Sequence, residues 1–288
     1  MDKLAVPANT IAVIQKYNFT FQKRYGQNFL VDPRVTARIV EESGVGPEDT
    51  VLEIGPGIGT LTQYLAEAAR SVVAVEIDRS LLPILEETLA GYDNVTVLCG
   101  DILKMNLPEL AETYNGGKPL KVVANLPYYI TTPIVMELFE SGAPVSSVTV
   151  MVQKEVAQRM QASPGGKEYG ALTLAVQYYA SARIVANVPP NCFIPRPDVG
   201  SAVIRLDVQE GVSCPGTDKK ALFAVIRAAF AQRRKTLANC LKNAPELPYT
   251  REDVTAALQQ MGLPETIRGE ALSLEQFARL TRLLTLQR

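Results

Sequence analysis

Three features of this 288-residue chain predict an α/β fold: a mostly parallel sheet of seven strands, followed by a smaller all-α domain. Between residues 50 and 153, apolar runs of strand length alternate with helical periods, the pattern of βαβ units with right-handed crossovers. Three successive runs end at Gly55, Glu76 and Gly100-Asp101, as strand tips do where an open sheet binds a ligand. Beyond residue 217 the periodicity is wholly helical.

Each element has its own signal. Asp32-Pro33 supplies a cap and a first-turn proline for a helix ahead of the sheet. Val51–Ile54 is the first strand, closed by a Gly-rich turn, and Thr60–Ala69 the helix after it. Strand Val72–Glu76 precedes helix Leu81–Leu89, and Val95–Cys99 and Lys121–Ala124 are the next two strands. Thr132 with Pro133 opens a helix to Ser141, and Val148–Val152 is the fifth strand. Arg183–Val188 and Ser201–Val208 complete the seven, joined by the Pro-rich stretch 189–199. The polar, Gly-rich stretch 162–169 reads as a mobile loop, and 210–217 as a linker, which places a domain boundary between 209 and 210. Helices at Ala221–Phe230, Lys235–Lys242, Asp253–Met261 and Leu274–Leu284 fill residues 210–288.

Composition narrows the chemistry. A hydrophobic fraction of 47% and a mean hydropathy of +0.05 are ordinary for a globular protein. No apolar run approaches the roughly 20 residues of a membrane span. Cys99, Cys192, Cys214 and Cys240 are scattered, which fits reduced thiols in the cytoplasm and neither a disulfide frame nor a zinc site. The chain has no histidine, so the commonest metal ligand and the usual general base are both missing, and no metal is expected. Net charge is −1, yet Lys219–Asn243 holds seven basic residues and no acid. A locally basic surface of that kind suits phosphate.

Asn125-Leu126-Pro127-Tyr128 follows the apolar run Val122-Val123-Ala124. A side-chain amide, a backbone carbonyl and an aromatic ring thereby meet at one strand tip. Two oxygens of that kind accept the N–H bonds of a planar amine while the ring covers its face. Upstream, Glu53-Ile-Gly55-Pro-Gly57-Ile-Gly59-Thr60 lets a bulky ligand approach the backbone at a helix start. It lacks the third glycine of a dinucleotide fingerprint, and Pro56 removes a donor, so a nicotinamide dehydrogenase fits poorly. Glu76 stands where a ribose diol is accepted, Asp101 suits an adenine amino group, and Ile77 and Ile102 would sandwich the adenine.

Read together, these motifs resemble class I S-adenosylmethionine-dependent methyltransferases with a Rossmann-like sheet. Gly26-Gln27-Asn28-Phe29-Leu30, the Gly-rich turn, Glu76, Gly100-Asp101, the Asn125 tetrapeptide and the stretch Phe193 to Ser201 narrow the resemblance to the ribosomal RNA adenine dimethyltransferases, nearest the small-subunit (KsgA) branch. The resemblance covers about residues 16–243. It implies that Asn28, Leu30, Gly55 and Gly57 contact the methionine or ribose end of S-adenosylmethionine, Glu76 the ribose and Asp101 the adenine. Gln27 would order the loop over the donor, and Asn125 would lie between donor and target amine. Tyr128 and Phe193 would stack on the flipped base, beside Leu126 and Pro127. Arg227, Arg233, Arg234, Lys235 and Lys242, several on one helical face, would hold rRNA phosphates. The implied reaction is N6,N6-dimethylation of two adjacent adenosines in a hairpin loop near the 3′ end of 16S rRNA, by a monomer acting during 30S subunit biogenesis.

Other readings make different demands. DNA adenine-N6 methyltransferases usually carry Asp- or Ser-Pro-Pro-Tyr where this chain has Asn125-Leu126-Pro127-Tyr128. The macrolide-resistance enzymes of the large subunit share the motifs and differ in substrate. A non-catalytic RNA-binding assembly factor would have no use for intact Gly55, Glu76, Asp101 and Asn125, and donor binding separates it from an enzyme.

Overall fold

A computed structural model describes residues 3–209, 211 and 213–286. Glu210 and Val212 of the expected linker lie outside the described residues. The strands are β1 (Phe29–Leu30), β2 (Thr50–Ile54), β3 (Ser71–Glu76), β4 (Val95–Cys99), β5 (Leu120–Asn125), β6 (Val145–Gln153), β7 (Ala180–Val188), β8 (Phe193–Ile194) and β9 (Ser201–Val208). Seven form one sheet in the order β4-β3-β2-β5-β6-β9-β7. β4, β3, β2, β5 and β6 pair in parallel and β9 runs antiparallel to β6. Every residue of β2 is buried, as befits a central parallel strand covered on both faces. β2 is also where the order reverses: β3 lies on one side and β5 on the other. Ligands of open α/β sheets bind beyond the carboxyl ends of the strands at such a point.

The remaining pair, β1 and β8, is antiparallel, with Phe29 opposite Ile194 and Leu30 opposite Phe193. It docks the segment ahead of the helix that precedes β2. That helix, Pro33–Ser43, is capped by Asp32, which accepts from the N–H groups of Arg34 and Val35, and ends at Gly44 in the left-handed conformation. The expectation of a helix opening with Thr132 as cap is two residues late, since the cap is Ile130. The helix is Thr131–Glu140, and the Thr131 hydroxyl donates to the Pro127 carbonyl.

The chain divides into two compact units, and the division differs from the single boundary expected at 209/210. One unit runs to Ala157 and takes in Ala182–Val208; the other comprises Gln158–Ser181 and the chain from Gln209 onward. The reason lies in the loop expected to be mobile. Its last residue, Tyr169, is fully buried and its hydroxyl donates to the Leu272 carbonyl at 2.7 Å. Tyr169 and Leu174, on the helix Ala171–Tyr179, join Leu222, Val225, Leu258 and Phe277 in one apolar core. Four helices of the C-terminal chain enclose that core: Lys219–Ala231, Leu237–Lys242, Arg251–Gln260 and Leu274–Leu286. Among the described residues no helix is long and apolar enough to cross a membrane.

Candidate active site

The tips of β2, β3 and β5 and the segment before β1 line a solvent-open cleft of about 750 Å³, the space at its mouth included. Gln27, Asn28, Leu30, Gly55, Gly57, Glu76, Ile77, Asn125, Leu126, Pro127 and Tyr128, all singled out from the sequence, line it. Gly55 has φ +70, and a Cβ built on it meets nothing within 4 Å, so its bare face opens onto free space. Gly57 has φ +61 and lies so near Phe29 that a Cβ would stand 3.1 Å from its ring. Gly57 thus holds the first crossover turn against β1, while Gly55 leaves room for a ligand.

Glu76 ends β3 and is only 4% exposed. Its Oε2 accepts from the Gly57 N–H at 3.2 Å and its Oε1 from the Asp78 N–H at 2.8 Å. Burial nevertheless pushes its carboxyl up to about 7, opposed by those N–H bonds and assisted by the neighbouring Asp78 charge. Ile77, next along, is 44% exposed, an apolar surface turned to solvent beside the acid. Asp78 is buried and ties the strap down: it accepts from Nε2 of both Gln22 and Gln27, the latter at 2.8 Å, and from the N–H and hydroxyl of Ser80. Gln27 Oε1 in turn accepts from the Gln22 N–H, so Gln27 ties residues 22–27 to one another and to Asp78.

On the other side of β2, Asn125 ends β5 beside Met151 of β6. Its Nδ2 donates to the Asn28 carbonyl at 2.9 Å, which fixes the amide and leaves Oδ1 without a donor among the described residues. The Leu126 N–H is spent on the Met151 carbonyl. Tyr128 is half-buried, and its hydroxyl pairs with Ser201 Oγ at 2.6 Å. The Pro-rich motif thus supplies the anchor for this ring at its final serine.

Several expected positions differ. Phe193 is 3% exposed, paired with Leu30 across β8 and β1, and packed with Val188, Met151 and Val203. As placed, it offers no stacking face, because the core takes its ring. Neither Asp101 nor Ile102 lines the cleft. Asp101 caps the short turn Ile102–Lys104 through the Leu103 N–H, and Ile102 is buried. The basic cluster is not a helical face: Arg233, Arg234 and Lys235 occupy the bend between Lys219–Ala231 and Leu237–Lys242. Arg233 clamps the Tyr169 loop, donating to the Lys167 and Tyr169 carbonyls and facing Glu270 at 3.4 Å. Arg227, Arg234, Lys235 and Lys242 are exposed and form no ion pair among the described residues.

The sequence reading passed over Glu53. An acid inside the run Val51-Leu52-Glu53-Ile54 is the signal that was available. Glu53 lines the cleft, is 1% exposed and has an Oε2 with no partner among the described residues. Burial above all raises its carboxyl to about 8, the nearby Thr62 hydroxyl works against this, and the nearby Glu76 charge adds to it.

The family model described as ribosomal RNA adenine dimethylase matches residues 18–285. A ribosomal RNA small subunit methyltransferase A from Lachnoclostridium phytofermentans is 58% identical over 285 residues, covering 99% of this chain and 98% of that one. The protein of the same name from Alkaliphilus metalliredigens is 50% identical over 282 residues, covering 98% of both chains. Among solved structures, a dimethyladenosine transferase from Plasmodium falciparum superposes with a TM-score of 0.74 at 27% identity, over 88% of this chain and 95% of that chain. The 23S rRNA methyltransferase ErmE superposes with a TM-score of 0.68 at 30% identity, over 90% of this chain and all of that one (100%). With its seven-stranded class I methyltransferase sheet and the cleft at its switch point, this chain belongs to the ribosomal RNA adenine dimethylase family.

Proposed function

We propose that this enzyme transfers methyl groups from S-adenosylmethionine to the N6 nitrogens of adenosines in small-subunit rRNA, two methyls per base. The observation that carries this reading is Asn125. Its amide is tethered through Nδ2 to the strap, and its bare Oδ1 stands in the same cleft as a buried ribose-type carboxylate. The 58% relative named for the small subunit, against 30% for the large-subunit ErmE, favours the small-subunit substrate over the macrolide-resistance reading.

The residues present fit the donor. Gly55 leaves open the space that any side chain would fill. Glu76 presents its buried carboxylate to a diol, and exposed Ile77 offers an apolar face for adenine. Orphaned Glu53 Oε2 calls for an N–H or O–H donor, which an amino group supplies. When bound, S-adenosylmethionine supplies a methyl group made electrophilic by its sulfonium.

The chain's own part is positioning and electrostatics. Asn125 Oδ1 and the Leu126 carbonyl accept the two N–H bonds of the target amine. That draws its lone pair out of ring conjugation and toward the donor. Both oxygens stabilise positive charge as it builds on nitrogen. The proton becomes acidic once the nitrogen is charged and leaves to water, so no base is needed, in keeping with a histidine-free chain. Tyr128, its hydroxyl held by Ser201, covers the base, which must leave its loop to reach the cleft. Asp101, two residues beyond the Cys99 that pairs with Glu76, is the reading's acceptor for the donor's adenine amine. Arg227, Arg234, Lys235 and Lys242 take RNA phosphates in it.

Incubation with labelled donor and undermodified small subunits, followed by nucleoside mapping, tests the reading. Dimethyladenosine in small-subunit rRNA is the expected product. Donor binding without transfer would return the chain to an assembly-factor role, and label confined to large-subunit rRNA would select the other branch.

A further inference from the structure

We propose that Tyr129 is the stacking seat for the nucleobase adjacent to the target adenine, with Arg24, on the segment that carries Gly26, for the connecting phosphate. This rests on the rRNA-adenine reading above and adds to it a contact outside the reaction cleft. Tyr129 follows the target-holding tetrapeptide directly, yet it is 61% exposed, the most exposed aromatic side chain among the buried and exposed apolar groups of the described residues. An exposed aromatic ring at a site's mouth offers a π-face on which a nucleobase stacks.

The ring is seated and does not dangle. A Cβ built on Gly26 would stand 3.4 Å from Tyr129 Cδ1, 3.5 Å from its Cε1 and 3.5 Å from Pro127 Cβ. One edge of the ring therefore leans on Gly26, a wall residue of the cleft, from outside, and the rest faces solvent. Gly26 has φ +57, the left-handed conformation that favours glycine, so the turn beneath the ring is set by its backbone. Two residues before Gly26, the exposed Arg24 guanidinium lies 4.6 Å from the Tyr25 ring centroid, donates through Nε to Gln22 Oε1 at 2.9 Å and forms no ion pair among the described residues. A cation and two aromatic rings on one rim match the way proteins hold single-stranded nucleic acid: bases stack on rings, and charge tracks the backbone.

Chemistry supplies the occupant. A base drawn into the cleft loses its stacking partners, and so does its neighbour, whose backbone must splay to let it go. A second ring just outside the cleft replaces the neighbour's lost stack.

The test compares Tyr129→Ala, Tyr129→Leu and Tyr129→Phe on undermodified small subunits, with donor binding by calorimetry. Stacking predicts a KM for subunits raised about tenfold in the Ala and Leu variants, parental kinetics in the Phe variant, and kcat and donor affinity within about twofold throughout. Binding of a synthetic stem-loop with two adjacent adenosines closes the cycle. Making one of them abasic should weaken the parent and leave Tyr129→Ala unaffected. An unchanged KM in Tyr129→Ala, a Leu variant as good as Phe, or a loss of donor affinity would overturn the proposal. The last would mean that the ring only props the strap. Absence of transfer by the parent itself would instead sink the underlying rRNA-adenine reading.

Discussion

Glu76 and Asn125 end the strands on either side of β2, two positions apart in the sheet, and they are built by opposite rules. Glu76 is an acid, almost sealed from solvent, with each oxygen already receiving a backbone N–H. Asn125 is neutral, half-buried and pinned through its donor alone, so its oxygen stays bare. The β2–β3 side therefore stores titratable charge, with Glu53 and Glu76 raised to about 8 and about 7. The β5 side holds only dipoles. Binding the donor is expected to depend on pH, and activating the target amine is not.

The sharpest way to break this contrast is Asn125→Ala. Removing one preorganised acceptor should lower the single-turnover rate by roughly a thousandfold, in the range found for oxyanion-type donors. Donor affinity should change only a few-fold, and the ratio of variant to parent rates should be flat between pH 6 and 9. A ratio that tracked pH would show a hidden titration on the β5 side.

Next in size is a stability effect at Glu53. Its folded carboxyl holds a proton up to about 8, whereas an unfolded glutamate releases it near 4.5. Between those values the folded state binds more protons, so the stability linked to this group is present below pH 4.5 and is lost as pH rises through about 8. Glu53→Gln imitates the neutral acid without the titration. It should match the parent's melting temperature near pH 5 and exceed it near pH 8.5, by a difference on the order of a few kcal/mol in unfolding free energy. Calorimetry across that range is the check, and parallel curves would mean the buried acid is already ionised.

How far this contrast was legible beforehand depends on whether the cause is local. Strand tips were legible because an apolar run ended by Gly, Glu or Asn needs no distant partner. Asp32 was legible as a cap for the same reason. Glu53 went unread because its position inside an apolar strand matters only once both sheet faces are covered. Phe193 was expected to be free because a Pro-rich stretch looks exposed, but pairing with Leu30, more than a hundred residues upstream, takes it into the core. Tyr169 and Arg233 misled in the same way. A Gly-rich loop and a basic run have no local sign that one anchors the other. The helices Pro7–Lys16, Leu107–Asn115, Lys154–Gln161 and Ala171–Tyr179 were passed over, two of them short and one without a strong apolar stripe.

A smaller change probes the charged side directly. With Glu76 half-protonated near neutrality and ribose hydroxyls donating more strongly to the ionised form, donor affinity should fall as pH drops below about 7. Glu76→Gln should weaken donor binding by about ten- to a hundredfold, from the loss of charge-assisted bonds, and remove that slope. Titration calorimetry at pH 6, 7 and 8 separates the two effects. A slope that survives in Glu76→Gln would belong to another group, with Glu53 the first to examine.

The smallest expected effect tests whether the neutral side is held as firmly as the charged one. Tyr128 is the only ring lining the cleft whose hydroxyl is bound to a side chain among the described residues, through Ser201 at the start of β9. A single neutral hydrogen bond contributes about 1 kcal/mol. Tyr128→Phe and Ser201→Ala should therefore each slow transfer by about three- to fivefold and leave donor affinity intact. Because they remove the same bond, the double variant should be no slower than either single one. Additive losses would mean that Ser201 acts on the cleft by another route. A loss far above fivefold in Tyr128→Phe alone would mean the hydroxyl touches the reacting amine, and the β5 side would then need its own proton accounting.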